Sequence, residues 1–111
     1  MVSLSFVSKA QDEALAILRT VARSVFVVRA MASASLQLAY VAAGRLDAYF
    51  ENGRDAADWL AGALLIREAG GVVTDLAGDA FGWSGDGMLT ASAVLHPAIL
   101  EAIDRVRQPE V

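Results

Sequence analysis

The sequence predicts a single layered α/β domain, in which a mixed sheet of about five strands is flanked by helices. The prediction rests on the alternation of short strand-like segments with longer segments whose apolar residues recur at helical spacing. It rests also on length, because residues 1–111 make one domain of ordinary size. In chain order, strands are predicted over 2–6, 25–28, 46–50, 72–74 and 88–91, and helices over 8–22, 33–43, 56–69 and 96–107.

The elements of the first half follow from their local patterns. Residues 2–6 alternate apolar and polar side chains, as half-buried strands do. A capping-box pattern that begins at Ser8 opens the first helix. The run VFVV at 25–28 is β-branched and aromatic and too short for a helix, which predicts a buried strand. Gly44 is expected to end the second helix, and the alternating residues 46–50 form the next strand.

The second half contains the most apolar helix of the chain. Residues 56–69 are apolar on nearly every side, which predicts a helix buried between layers. Residues 75–87 form a Gly- and Asp-rich loop, and Pro97 lies in the first turn of the last helix, where proline is favoured. The single histidine, His96, stands at the start of that helix, and we expect it to be a solvated cap with no catalytic role.

Composition excludes several classes of function. The net charge of −4 and the scattered basic residues argue against binding of nucleic acid. No apolar stretch approaches the ~20 residues that cross a membrane. The absence of cysteine excludes disulfides, thiolate metal sites and cysteine nucleophiles, and it fits a cytoplasmic protein.

The apolar content predicts a partner. Apolar residues make up 56% of the chain, above the ~45–50% that is typical of soluble domains. The surplus would face either another copy of the chain or a missing domain. Alternatively, the many alanines raise the apolar count without producing such a surface.

The candidate chemistry lies in carboxylates around the start of the third helix. Glu51 closes a strand, and Asp55 and Asp58 lie at the beginning of the helix, where the helix dipole favours negative charge. Capping is sufficient to explain Asp55. Asp58 precedes an almost wholly apolar stretch, and a carboxylate at such a junction is also a suitable ligand for a hard cation such as Mg²⁺. From the residues alone, capping and metal binding both stay open for Asp58.

Several motifs occur in a fixed order along the chain. They are RAMASASL at 29–36, VAAGRLDAYFE at 41–51, DWLAGALLIREAGGVVTD at 58–75, and a closing strand and helix from 88 to 100. Together they resemble the C-terminal half of the inositol monophosphatase family, which shows a Gly-Ser-Ala stretch, VAxGxxDAYxE, and WDxAAG before a run that ends in EAGG. The resemblance covers roughly residues 25–105.

The resemblance implies a two-domain family fold of alternating α and β layers. It also implies hydrolysis of phosphorylated small molecules with Mg²⁺, which activates a water and shields the phosphate. On matching positions, Asp58 would be a metal ligand, Glu51 would contact substrate hydroxyls, and Ala34 would line the substrate pocket through its backbone. No residue of this chain is assigned a catalytic role.

The chain also departs from the family pattern. Ala57 stands where the family has Trp, Leu60 replaces an Ala, and Ala32 replaces the Gly of Gly-Ser-Ala, where a positive φ would be strained. The N-terminal half of the family supplies a Glu and an Asp-Pro-x-Asp-Gly-Thr motif that hold most of the metals. Neither that motif nor that half has a counterpart in these 111 residues. We therefore do not expect independent catalysis.

These observations lead to more than one hypothesis. In the first, the chain is a phosphatase domain that works with a separate or removed N-terminal half. In the second, it is a degenerate binding or oligomerisation module that associates with itself through the surface that such a half would cover. The sequence does not separate the second from a fragment of an intact phosphatase, and it specifies neither the substrate nor the oligomeric state.

Overall fold

The computed structural model describes residues 9–25, 27–28, 33–51, 56–82 and 86–107. Within these residues there are four helices and three strands. In chain order they are α1 (Lys9–Ala22), α2 (Ala34–Ala42), β1 (Ala48–Glu51), α3 (Ala56–Glu68), β2 (Val72–Thr74), β3 (Met88–Ala91) and α4 (His96–Arg107). The four helices and the last three strands were all predicted within a few residues of these bounds. The predicted strand over 2–6 lies outside the described residues.

The three strands form an antiparallel sheet in the order β1-β3-β2. The central strand is β3, where Thr90 pairs with Tyr49 of β1 on one side and with Val73 of β2 on the other. All four residues of β3 are buried, as expected for a central strand covered on both faces. The layered α/β class is confirmed. The mixed sheet of about five strands is not confirmed, because the described strands pair only in the antiparallel sense.

The predicted strand at 25–28 is wrong for the part of it that the structure describes. Val25, Val27 and Val28 belong to no strand. Their exposed fractions are 36%, 54% and 37%. A β-branched run favours extended backbone, but it becomes a strand only where another strand offers hydrogen bonds, and none of the described strands does so here.

The side chains of β3 divide the core into two clusters on opposite faces of the sheet. Met88 packs into one cluster and Leu89 into the other, because successive residues of a strand point to opposite faces. The cluster around Leu89 is completed by α1 and α4, with Ile17 and Ile103 fully buried. The cluster around Met88 is completed by α2 and α3. The domain therefore has three layers, with a helix pair on each face of the sheet.

Helix α3 is only half buried, so its predicted burial on nearly every side is wrong. One face, with Trp59, Ala63 and Ile66, packs into the cluster around Met88. On the other face Leu60 and Leu64 are 42% and 59% exposed. The reason is that α3 lies in an outer layer, where the sheet and α2 cover only part of its surface.

Gly62 allows α2 and α3 to approach closely. A Cβ atom at Gly62 would lie 2.5 Å from the Cβ atom of Leu38, which is fully buried in α2. Contacts at that distance do not occur without movement of the helices. The absence of a side chain at position 62 therefore lets α2 and α3 pack closely against each other. These are the two helices that begin near the candidate residues.

Substitution of Gly62 by Ala tests this contact. We expect Gly62→Ala to lower the free energy of unfolding by about 2 kcal/mol, because an overpacked core costs up to about 3 kcal/mol and the gain in helix propensity returns only about 1 kcal/mol. Urea denaturation measures the change. The control is Ala61→Ser at the exposed neighbouring position, where we expect less than about 0.5 kcal/mol. A Gly62→Ala protein as stable as the parent would contradict the close packing.

Candidate functional site

Glu51 ends β1 on the face of the sheet that α2 and α3 cover. Its Oε2 atom accepts two hydrogen bonds, one from the Tyr49 hydroxyl and one from the Trp59 indole Nε1–H at 2.9 Å. Tyr49 reaches it because residues two apart in a strand share a face. Glu51 is half-buried, so the carboxylate is oriented by two neutral donors while part of it stays accessible.

Trp59 is the fixed partner in this arrangement. Its side chain is 1% exposed and lies in the cluster with Leu38 and Met88. The Phe81 ring contacts it with 5.9 Å between centroids and a tilt of 48°. The indole has one donor and no acceptor, and a buried indole N–H needs a partner. Glu51 is that partner.

Asp58 lies in the first turn of α3, next to Trp59 in sequence. Trp59 is buried whereas Asp58 is exposed, because successive helical residues are rotated by about 100°. In the part of the chain that the structure describes, Asp58 has no hydrogen bond and no ion pair. The carboxylate is thus open to solvent at the positive end of a helix dipole. The neighbouring Asp55 lies outside the described residues.

Ala34 is the first residue of α2 and is half-buried. It packs against the cluster that contains Trp59. The preceding Ser33 caps the helix, since its side chain accepts a hydrogen bond from the Leu36 N–H at 3.2 Å. Trp59 is therefore related to all three predicted positions. It donates a hydrogen bond to Glu51, it follows Asp58 in the sequence, and it belongs to the cluster that Ala34 contacts. Ala32, where the family has Gly, is not among the described residues.

The residue that sequence reasoning missed is Trp59. The sequence pattern indicates only that it belongs to the apolar segment 56–69. One signal could have identified it, because an indole in an otherwise apolar segment must find an acceptor when it is buried. Glu51, eight residues earlier, was the nearest carboxylate at the end of a strand.

His96 is buried, so its prediction as a solvated cap is wrong. Its Nε2 atom lies 2.8 Å from the Thr74 hydroxyl, which donates to the Asp75 carbonyl at 2.8 Å. With the hydroxyl proton used in this way, Nε2 is assigned as a donor to Thr74 Oγ1. Thr74 and Val73 point to opposite faces of β2, and Val73 belongs to the cluster with Trp59. His96 therefore lies on the other face of the sheet from Glu51.

The described residues offer few groups for a metal. They contain no cluster of three or more His, Cys, Asp or Glu side chains that could hold a metal ion. A cavity of about 310 Å³ lies at the C-terminal ends of α2 and α3 and is lined by Gly44, Asp47 and Gly70 among others. It is at the opposite end of α3 from Asp58. That cavity is consequently separate from the candidate site.

Comparison with known proteins agrees with this architecture. The family model described as "Inositol monophosphatase family" matches residues 3–108. The chain belongs to the inositol monophosphatase family. Among its relatives is the inositol-1-monophosphatase of Mesorhizobium japonicum, 44% identical over 88 residues, which are 79% of this chain and 33% of that protein. The Nus factor SuhB of Escherichia coli K12 is 46% identical over 76 residues, 68% of this chain and 27% of that protein.

Solved structures of family members show the same fold. The extragenic suppressor protein suhB of Bartonella henselae superposes with a TM-score of 0.83 at 32% identity, over 89% of this chain and 39% of that one. An IMPase of Thermotoga maritima superposes with a TM-score of 0.79 at 26% identity, over 86% of this chain and 38% of that one. The chain spans about a third of the length of the curated family relatives named here. None of the described helices is long and apolar enough to cross a membrane.

The burial of His96 makes stability depend on pH in this family member. Desolvation lowers the pKa of His96 from its ordinary value of 6.5. As pH falls towards and below 6.5, His96 therefore takes up a proton more readily in the unfolded chain than in the folded one. The free energy of unfolding should consequently fall as pH is lowered through this range. The slope should not exceed about 1.4 kcal/mol per pH unit, the limit for one proton.

Urea denaturation between pH 7.5 and 5.5 measures this slope. His96→Gln keeps a donor for Thr74 but does not titrate, so it should flatten the slope. Because His96 is the single histidine, no other imidazole contributes. An equal slope in both proteins would contradict the assignment.

Proposed function

We propose that this chain is the substrate-binding, C-terminal part of a Mg²⁺-dependent phosphate monoester hydrolase. Hydrolysis would then need the roughly two thirds of the family's length that the chain does not match. The observation that carries the proposal is the half-buried Glu51 carboxylate, held through one oxygen by Tyr49 and Trp59. A carboxylate oriented in this way is suited to accept a hydrogen bond from a substrate hydroxyl.

Glu51 and Ala34 are the proposed substrate contacts. Glu51 would accept a hydrogen bond from a hydroxyl of the phosphorylated substrate, which fixes its orientation. Ala34 would line the same pocket through its backbone, at the N-terminal end of α2, where N–H groups are not used within the helix. Both contacts bind and orient the substrate, and no proton transfer is assigned to either residue.

Asp58 is the proposed metal ligand. When bound, Mg²⁺ activates a water and neutralises charge on the phosphate. Mg²⁺ takes several oxygen ligands, and the described residues supply one suitable carboxylate at this position, so the described residues alone do not fit a Mg²⁺ site. The other protein ligands would come from the part of the family that lies outside this match. We therefore expect the isolated chain to be inactive.

The exposed leucines of α3 favour a second candidate function, that of a binding or oligomerisation module. Leu60, Leu64 and Leu65 are 42%, 59% and 50% exposed on one helix. Apolar surface of this kind is usually covered by a partner. That partner would be a second copy of the chain or a separate N-terminal half.

A chimera tests the enzymatic proposal. In it, this chain replaces the matching segment of the Mesorhizobium relative, to which it is 44% identical. We expect Mg²⁺-dependent hydrolysis of inositol 1-phosphate, measured as released phosphate. Asp58→Asn should lower kcat/KM by at least about 100-fold, because a charged metal ligand is lost.

The matched control is Asp12→Asn. Asp12 is also an exposed carboxylate in the first turn of a helix, but it lies in α1, away from the candidate residues. Its replacement should leave kcat/KM within twofold. A chimera that melts cooperatively but releases no phosphate would refute the enzymatic proposal, and so would equal activity of the Asp58→Asn chimera and its parent.

The module proposal makes a different prediction for the isolated chain. Size-exclusion chromatography with light scattering should give a dimer or larger assembly at micromolar concentration. Leu64→Lys should shift the protein towards the monomer, since a charge would be buried in the interface. Ala98→Lys, at an exposed position of α4 on the other side of the sheet, is the control for added charge. A monomeric parent protein would count against self-association.

A further inference from the structure

We infer that Trp59 is a positioning residue for substrate recognition: its indole N–H and the Tyr49 hydroxyl occupy one oxygen of Glu51 and leave the other to accept a substrate hydroxyl. The inference rests on the proposed function and adds to it. It names the residues that set the direction of Glu51, and it predicts that they matter for substrates with a free hydroxyl and not for those without one.

The first step of the inference is the unequal use of the two carboxylate oxygens. Oε2 of Glu51 accepts from both Tyr49 and Trp59. Among the described residues no donor bonds to Oε1. A carboxylate has about four acceptor positions in total, and two of them are filled on the same oxygen. The remaining capacity therefore lies mainly on Oε1.

The second step is the rigidity of the donor. Trp59 is 1% exposed, the Phe81 ring contacts it at 5.9 Å, and Ala63 and Ile66 pack in the same cluster. The indole cannot turn away without leaving this cluster. The end of β1 that carries Glu51 is held as well, because Glu51 pairs with Met88 of the central strand. Both partners in the hydrogen bond are thus fixed by the core.

The third step concerns selectivity. A fixed acceptor discriminates strongly between a substrate that offers a hydroxyl and one that does not, because without the hydroxyl its oxygen is left unpaired in the complex. Loss of the Trp59 donor would let the carboxylate rotate and weaken this discrimination. Phosphate esters without a hydroxyl form no hydrogen bond with Glu51. Their kcat/KM should therefore not change when the Trp59 donor is removed.

The first test measures the hydrogen bond in the isolated chain by NMR. The chain has two tryptophans, so Trp59→Phe assigns the Trp59 indole N–H resonance by its disappearance. In the parent protein this resonance should lie downfield of the position of an indole N–H without an acceptor. Glu51→Ala should move it upfield, whereas Asp58→Ala should leave it nearly unchanged. A resonance that Glu51→Ala does not move, or that Asp58→Ala moves as much, would overturn the inference without affecting the proposed function.

The second test compares two substrates in the chimera described above. Trp59→Phe keeps a ring in the core but removes the donor. We expect it to lower kcat/KM for inositol 1-phosphate about tenfold, mainly through KM, and to leave kcat/KM for phenyl phosphate within twofold. Tyr49→Phe, which removes the other donor, should also lower kcat/KM for inositol 1-phosphate. It replaces Trp59→Phe in this test if that variant does not fold.

The control is Phe81→Leu, which alters the packing around Trp59 but removes no donor to Glu51. It should change kcat/KM for the two esters by similar factors. If Trp59→Phe and Tyr49→Phe also lower kcat/KM for both esters by equal factors, the role of Trp59 is merely structural. The inference then fails while the proposed function stands. If the folded parent chimera hydrolyses neither ester, the proposed function fails, and this inference fails with it.

Discussion

The hydrogen bond between the Trp59 indole and the Glu51 carboxylate is the contact on which the arrangement of the candidate site depends. It joins the end of β1 to the first turn of α3 across a connection of only a few residues. A buried indole N–H without an acceptor would be costly, and a half-buried carboxylate without donors would be poorly oriented. Each group satisfies the other. Because Trp59 is held by the core, the direction of Glu51 follows from the packing of the domain.

The three-layer architecture determines which residues can share a site. Alternation along β3 sends Met88 towards α2 and α3, and Leu89 towards α1 and α4. Glu51, Asp58 and Ala34 all belong to the strand end and helix starts on the first side. His96 lies on the second side, where burial lowers its pKa and its Nε2 atom lies beside the Thr74 hydroxyl. The single histidine is therefore part of the core, and it lies on the opposite face of the sheet from the proposed site residues.

The local patterns of the sequence were sufficient to predict all four helices and the strands β1 to β3, because each has a strong periodicity or a clear end signal. They were insufficient where the outcome depends on residues distant in sequence. The run at 25–28 has strand propensity but no strand beside it, and Leu64 is exposed because only one side of α3 is covered. At the site, the ordered motifs led to Glu51, Asp58 and Ala34, whose roles stay predictions. No local pattern predicted that Trp59 would be the residue that connects them.

The order of Asp58 and Trp59 has a physical consequence. In the motif that this chain resembles, the tryptophan precedes the aspartate, whereas here Ala57 precedes Asp58 and Trp59 follows it. Positions 57 and 59 of a helix differ in direction by about 200°, so the indole at 59 points to a different side from a side chain at 57. In this chain that side is the core, and the indole N–H there meets Glu51. Asp58, one position earlier, is exposed. The departure from the motif thus places a buried side chain that donates to the proposed substrate acceptor directly beside the proposed metal ligand in the sequence.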